Sequence, residues 1–410
     1  MFLFELSTKI FLPVIFLLFI SVIVQIILRT FKIKFIPAFV IELMIGIIIA
    51  KPFNEFISQN EFTPLVDGVY VLGLSLIMFL SGYDVDAFRI KKKALKFHNL
   101  KWSLIILVLV YVMGFGLSWI FVEGENKLSQ AILVTLVITS VFAGLVVPLV
   151  QSTGVINSKV GQFISTFASI SELLSILFLS IFMVIIDISS GNWYFGVIMF
   201  AIIIIVLVID SKIGFTKVSE FLEENVFEHL PARILVAMVL LMVYLSDLSG
   251  GEYILGAFLF GFLIRELGIF KKVIDTFDDL VYGIFSPIFY ILVGTKIDIT
   301  LFSNQDMIFV VVGLVLAILL ARLPIFLLLK YYSFKALLPA VLISTSTIIV
   351  AIAASHIGLS INLFSLEFSE ALILSSVITC IIPPVIFELF VLFGGFKEKV
   401  DNKENSYETN

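Results

Sequence analysis

Apolar windows about 19 residues long recur thirteen times along this chain, near 9–28, 36–51, 65–83, 102–122, 129–150, 160–186, 194–211, 230–247, 252–268, 280–297, 307–329, 335–356 and 371–393. No other feature restricts the fold so strongly. A segment that apolar partitions into lipid, and in lipid its backbone groups must satisfy one another, which an isolated segment achieves as a helix. The chain is 60% hydrophobic and 14% charged, with a mean hydropathy of +1.17. The expected fold is an all-α polytopic membrane protein of about 13 transmembrane helices. Residues 1–395 form the transmembrane domain, and 396–410 a short, polar, disordered tail. The opening run, "MFLFELSTKIFLPVIFLLFI", lacks a basic n-region and a small-residue cleavage site, so it reads as a retained first span.

The basic residues test this division. One alternate set of loops holds Arg29, Lys32 and Lys34, the run from Arg89 to Lys101, Lys159, then Lys212, Lys217 and Arg233. The same set continues with Arg265, Lys271, Lys272, Lys330, Lys335 and the lysines of the tail. The opposite set holds only Lys9, Lys51, Lys127 and Lys296. Lys and Arg concentrate on the cytoplasmic side, so the N-terminus is expected outside and the C-terminus in the cytoplasm of a multi-pass cell-membrane protein.

An internal repeat runs through the spans. "ELMIGIIIAK" at 42–51 resembles "AFLFGFLIRE" at 257–266, and "LIMFLSGYDVD" at 76–86 resembles "IFYILVGTKID" at 288–298. Gly46 thus matches Gly261, and Gly82 matches Gly294. The matched spans are the second with the ninth and the third with the tenth. A shift of seven spans reverses the direction of crossing, which marks an inverted-topology repeat, a design of secondary transporters. The same shift pairs the fifth span with the twelfth. The fifth, "VITSVFAGLVVPLV", carries Gly144 and Pro148 behind Thr139 and Ser140. The twelfth carries Ser344, Thr345, Ser346 and Thr347 in a row. Interrupted spans at matching places in two halves expose backbone groups where a solute can bind, although hydroxyls also serve close helix packing.

Four charges lie well inside spans: Glu42, Glu172, Arg322 and Glu388. Each costs about 2.5–3.5 kcal/mol at the bilayer centre on insertion scales. Glu388 lies close to the cytoplasmic end, and Glu42 suits a structural pairing with neighbouring backbone. Glu172 is the functional candidate. It follows Ser171 in "STFASISELLSILF" at 165–178, near the middle of the sixth span. Desolvation favours its neutral form and a nearby cation its ionised form, so it can hold a proton or exchange it for a monovalent cation. Arg322, in "AILLARLPIF", is the one fixed positive charge deep in the membrane and its expected charge partner, a static ion pair being the plainer arrangement.

Other chemistries lack their residues. A single cysteine, Cys380, and three scattered histidines give no metal site by spacing and no nucleophile–base pair within the spans. No P-loop sequence occurs. Neither an enzyme, a cofactor nor a nucleic-acid partner is expected.

The order of several short motifs resembles a known family. Segment 37–52, "PAFVIELMIGIIIAKP", is similar to the second span of the monovalent cation:proton antiporters, the branch of bacterial sodium/proton and potassium/proton exchangers with a Kef/Nap-like membrane domain. That family shows a "GELLAGILLGP"-like run there. "LGLSLIMFLSGYDVD" at 72–86 resembles its next span, and "LSGGEYILGAFLFGFLI" and "FSPIFYILVGTKIDI" resemble its "GAFLAG" and "FFxxVGxxxD" segments. The likeness implies thirteen spans with two crossed discontinuous helices, a core domain moving elevator-like against a dimerisation domain, and a homodimer in the lipid bilayer. It places Ser171 and Glu172 at the family's ion-binding pair, Arg322 at its Lys or Arg of the eleventh span, and the fifth and twelfth spans at its unwound helices. It implies exchange of Na+ or K+ for H+. Members usually carry Asp-Asp, Asn-Asp or Gln-Asp at the pair, where this chain has Ser-Glu. With one acid, the expected exchange is electroneutral. The alternatives are a sodium-coupled solute symporter of related fold and a transport-impaired regulatory or structural relative.

Overall fold

The computed structural model describes residues 11–30, 38–84, 97–187, 230–248, 253–297 and 305–393, and the regular structure among them is helical throughout. In chain order the helices are α1 Leu12–Thr30, α2 Ala38–Gln59, α3 Thr63–Asp84, α4 Phe97–Ser118, α5 Lys127–Thr139, α6 Ala143–Ser152, α7 Lys159–Asp187 and α8 Leu230–Leu248. There follow α9 Tyr253–Leu267, α10 Lys271–Leu280, α11 Ser286–Thr295, α12 Gln305–Ala321, α13 Phe334–Ile343, α14 Ile349–Ser360 and α15 Leu366–Leu392. Among the described residues, eight helical runs are long and apolar enough to cross a membrane. Every expected span coincides with a described helix or helix pair except the seventh, 194–211, which lies outside the described residues, as does the tail 396–410.

Three spans differ from the sequence reading, each for a local reason. Helix α2 passes through Pro52 and runs on to Gln59, well beyond the expected end at 51. Its buried face continues past Lys51 through Phe53 and Ile57, and this packing outweighs the backbone bond that a mid-helix proline removes. The tenth span starts early, with α10 joined to α11 through a π turn at Val281–Phe285. Pro287, near the start of α11, has no N–H to donate, so the ladder slips by one residue there. The eleventh span is α-helical only to Ala321; beyond Arg322 it tightens into a 3-10 turn over Leu323–Lys330, because Pro324 cannot donate to the carbonyl four residues back.

The described helices pack as two bundles. Helices α1–α3 and α8–α11 form one, and α4–α7 with α12–α15 form the other, with α2 touching α15 between them. Each bundle therefore draws on both halves of the chain. The repeat glycines show how. Gly46 of α2 meets α11, where a Cβ would stand 2.1 Å from the Ile291 carbonyl oxygen, and one on Gly294 would stand 2.2 Å from that of Leu43. Gly82 of α3 meets α9, with a Cβ placed 2.0 Å from the Phe258 oxygen, and one on Gly261 at 1.9 Å from that of Phe79. In all four cases the opposing carbonyl belongs to the residue three before the partner glycine. The repeat carries the α2–α11 contact onto the α9–α3 contact, as an inverted two-fold requires.

These crossings have no room for a methyl group. Gly82→Ala is expected to lower the unfolding free energy by about 1–3 kcal/mol, the usual cost of overpacking. Gly68→Ala and Gly116→Ala, whose added Cβ meets nothing within 4 Å, should cause no loss. Thermal unfolding of the three detergent-purified variants is the measurement; equal melting points for all three would exclude a close crossing.

Candidate functional site

Two breaks in helix meet at the centre of the second bundle. Helix α5 ends at Thr139, Ser140 and Phe142 are extended, and α6 starts at Ala143. Helix α13 ends at Ile343, and α14 starts at Ile349 after the run Ser344–Ile348. Prolines lie inside the flanking helices, Pro148 in α6 and Pro339 in α13. The strands of the crossing are tied directly, Phe142 N–H donating to the Ser346 carbonyl at 2.7 Å. The hydroxyls of Ser140 and Thr347 also bond to each other across it.

A broken helix exposes partial charge at its ends, positive where N–H groups are free and negative where carbonyls are. Three of the four ends here have a side chain suited to them. Arg322 is completely buried. Its Nε donates to the Ser344 carbonyl at 2.7 Å and its Nη2 to the Ser140 carbonyl at 2.6 Å. Ser140 and Ser344 are the caps that close α5 and α13. One guanidinium thus holds the negative ends of two half-helices, at equivalent positions of the two repeats. Its position follows from "ARLP", where the proline turns the chain just beyond it.

Glu172 lies at the opposite kind of end. The first N–H of α6, on Ala143, donates to its Oε2 at 2.9 Å, and Ser81 Oγ on α3 donates to its Oε1 at 3.1 Å. The residue is 4% exposed. Beside it, Ser171 Oγ donates to the Thr139 carbonyl at 2.9 Å, locking α7 to the end of α5. One turn on, Ser175 Oγ and the Tyr111 hydroxyl of α4 are 2.8 Å apart. A carboxylate held by a backbone N–H at a helix start and by a hydroxyl is a site for a proton or a small cation, because either can take a lone pair the donors leave free.

The expected site residues divide into two groups. Thr139, Ser140, Ser171, Glu172, Arg322, Ser346 and Thr347 meet at the crossing, with Ser346 Oγ donating to the Thr379 carbonyl of α15 at 3.2 Å. The hydroxyls of Ser344 and Thr345 turn back onto their own helix, to the Val341 and Leu342 carbonyls, and serve as local helix bonds. Only the backbone of Ser344 joins the site. Sequence reasoning passed over Ser81, Ala143 N–H, Tyr111, Thr379 and Cys380, whose Sγ donates to the Thr347 carbonyl at 3.4 Å. Ser81 had a signal, since it precedes the repeat glycine Gly82 while its repeat counterpart before Gly294 is the apolar Val293. Glu42 lies outside the crossing and accepts from the Ser21 hydroxyl of α1 at 3.4 Å. Glu388 is half-buried on α15.

The family model described as "Sodium/hydrogen exchanger, transmembrane" matches residues 15–393. YjbQ of Bacillus subtilis, whose name proposes Na(+)/H(+) antiport, is 30% identical over 90% of this chain, and the chain spans 61% of that protein's length. The Na(+)/H(+) antiporter of Enterococcus hirae is 24% identical over 87% of this chain and 92% of its own. The solved structure of the sodium proton antiporter MjNhaP1 from Methanocaldococcus jannaschii shares the fold, with a TM-score of 0.61 at 16% identity over 96% of this chain and 98% of that one.

Proposed function

We propose, from the premise that this chain belongs to the sodium/hydrogen exchanger family, that it exchanges a monovalent cation, Na+ or K+, for H+ across a cell membrane. The observation that carries this reading is the buried Glu172 carboxylate at the start of a broken helix, tied to a donor on each bundle. Protons and cations take turns on it while the second bundle, α4–α7 and α12–α15, moves against the first. Ser171 and the hydroxyls of the crossing complete the cation's coordination, and Arg322 holds the crossing together. No cofactor enters this scheme. The protein works as a homodimer in the bilayer, its N-terminus outside and its C-terminus cytoplasmic, as the Lys and Arg asymmetry of the loops argues.

The same geometry argues for electroneutral exchange. Ser171 does not ionise, and Arg322 is committed to two carbonyls. The thirteenth span, equivalent to the sixth by the repeat, has no acid between Glu370 and Glu388. One carboxylate then trades one H+ for one cation, and no net charge moves.

Two measurements on proteoliposomes test this. Adding Na+ or K+ outside acid-loaded vesicles should alkalinise the interior at once, with no sustained current on a solid-supported membrane. Apparent cation affinity should fall as pH falls through the titration of the site, by about tenfold per pH unit, because the proton occupies the cation's position. A pH-independent affinity would end the competition argument. A current scaling with turnover would end the electroneutral one, since each excess charge couples to voltage at about 2.3 kcal/mol per 100 mV.

A further inference from the structure

Two donors on Glu172, Ala143 N–H and Ser81 Oγ, belong to different bundles. Ala143, on α6, belongs to the same bundle as the carboxylate; Ser81, on α3, belongs to the other. The place of Ser81 on α3 is fixed by the residue after it, because Gly82 presses that helix against α9 with no space for a side chain. Any displacement of the second bundle that carries Glu172 along must break the Ser81 bond. Where the bundles meet elsewhere, the contact between Phe39 of α2 and Phe142 of the crossing is of another kind. Their rings meet edge to face at a centroid distance of 5.8 Å, an apolar contact that can slide without losing a directional bond.

A hydroxyl donates most strongly to an ionised carboxylate and less to one that holds a proton or shares its charge with a cation. The bond from Ser81 is therefore strongest when the site is empty. We infer that Ser81 is a latch for the unloaded carrier: it retains the bare Glu172 carboxylate against α3 and lets go when a proton or cation arrives. This inference rests on the exchange proposed above. It supplies what such exchange needs and the ion site alone does not provide. If the empty second bundle crossed as fast as the loaded one, the cation would leak down its gradient with no proton returned. Ser81 is a positioning residue in this scheme, since it acts through Glu172.

Tracer Na+ efflux, internal pH and current, measured together in proteoliposomes holding a Na+ gradient, distinguish the outcomes. The unmodified protein should return one proton per cation and no sustained current. Ser81→Ala should speed the empty return about tenfold, the scale of one charge-assisted hydrogen bond. Cation efflux would then exceed proton entry, and a current would appear with the sign of cation exit. Ser81→Thr and Ser81→Val are alike in shape and differ in the hydroxyl. Thr should keep the tight ratio, and Val should leak as Ala does. Equal coupling in the Thr and Val variants, or an Ala variant as tight as the unmodified protein, overturns the latch while leaving antiport intact. Absence of any cation-dependent proton movement in the unmodified protein overturns both.

Discussion

Glu172→Gln is expected to bring cation-dependent proton movement down to that of protein-free vesicles while the protein still folds. The amide has nearly the shape of the carboxylate, and its oxygen can still accept from Ala143 N–H or Ser81. What it cannot do is change charge, and a site that never ionises can neither release a proton to one side nor attract a cation from the other. Glu172→Asp should be weakened rather than silent. It keeps the ionisable group but shortens the reach by one methylene, so the carboxylate cannot meet both of its donors, which lie on different helices. The measurements are exchange rate in proteoliposomes and melting temperature in detergent. A Gln variant that exchanged at the normal rate would show that another group carries the proton. A Gln variant that failed to fold would show that the carboxylate's charge holds the α6 end in place.

The second large effect concerns Arg322. Arg322→Ala should cost about 3–5 kcal/mol, enough to remove most of the folded population, because it leaves two buried carbonyls at helix ends without a donor and opens a cavity. Arg322→Lys distinguishes charge from shape. An ammonium keeps the positive charge at the two negative ends but has no planar fork to reach the Ser140 and Ser344 oxygens together. It is expected to fold with a melting temperature between those of the Ala variant and the unmodified protein. Monodispersity on size exclusion and thermal unfolding decide the matter. An Ala variant that melts with the unmodified protein would mean that the crossing is held by its own backbone bond, Phe142 N–H to Ser346, without the guanidinium.

Hydropathy sees long apolar runs, so the spans could be read from the residues. The glycine matches pointed to the inverted repeat, and here the structure adds what one dimension hides. Gly46 and Gly261 are equivalent by sequence, yet each lies against the other matched pair's member, Gly294 and Gly82. The broken helices were legible through Pro148, Gly144 and the Ser-Thr run. The extent of α2 past Lys51 was not, because a charged residue at the surface ends a hydropathy window without ending a helix. Nor was the 3-10 turn after Arg322, although the Pro324 that causes it was in plain view. At the site, Glu172 and Arg322 stood out as charges in an apolar run. Ser81 did not, since one hydroxyl among many in a membrane protein gains meaning only from what lies across from it. The pairing of charges was the least legible point. The plainer expectation joined Glu172 with Arg322, whereas Arg322 spends two of its donors on carbonyls, and Glu172 takes the N–H end of α6.

That arrangement has a consequence for how the protein is made. Each bundle takes helices from both halves of the chain, so neither can close while the second half is still on the ribosome. Arg322 follows Ser140, whose carbonyl it holds, by 182 residues. At about 5–20 residues per second, synthesis needs roughly 10–40 s to span that gap. Through that time the α5 end is already in the membrane, and the cation that will neutralise it has not been translated. The insertion machinery must therefore shelter an unfinished crossing, with its acid in place and its arginine still to come, and slow translation after the sixth span would lengthen that exposure in direct proportion.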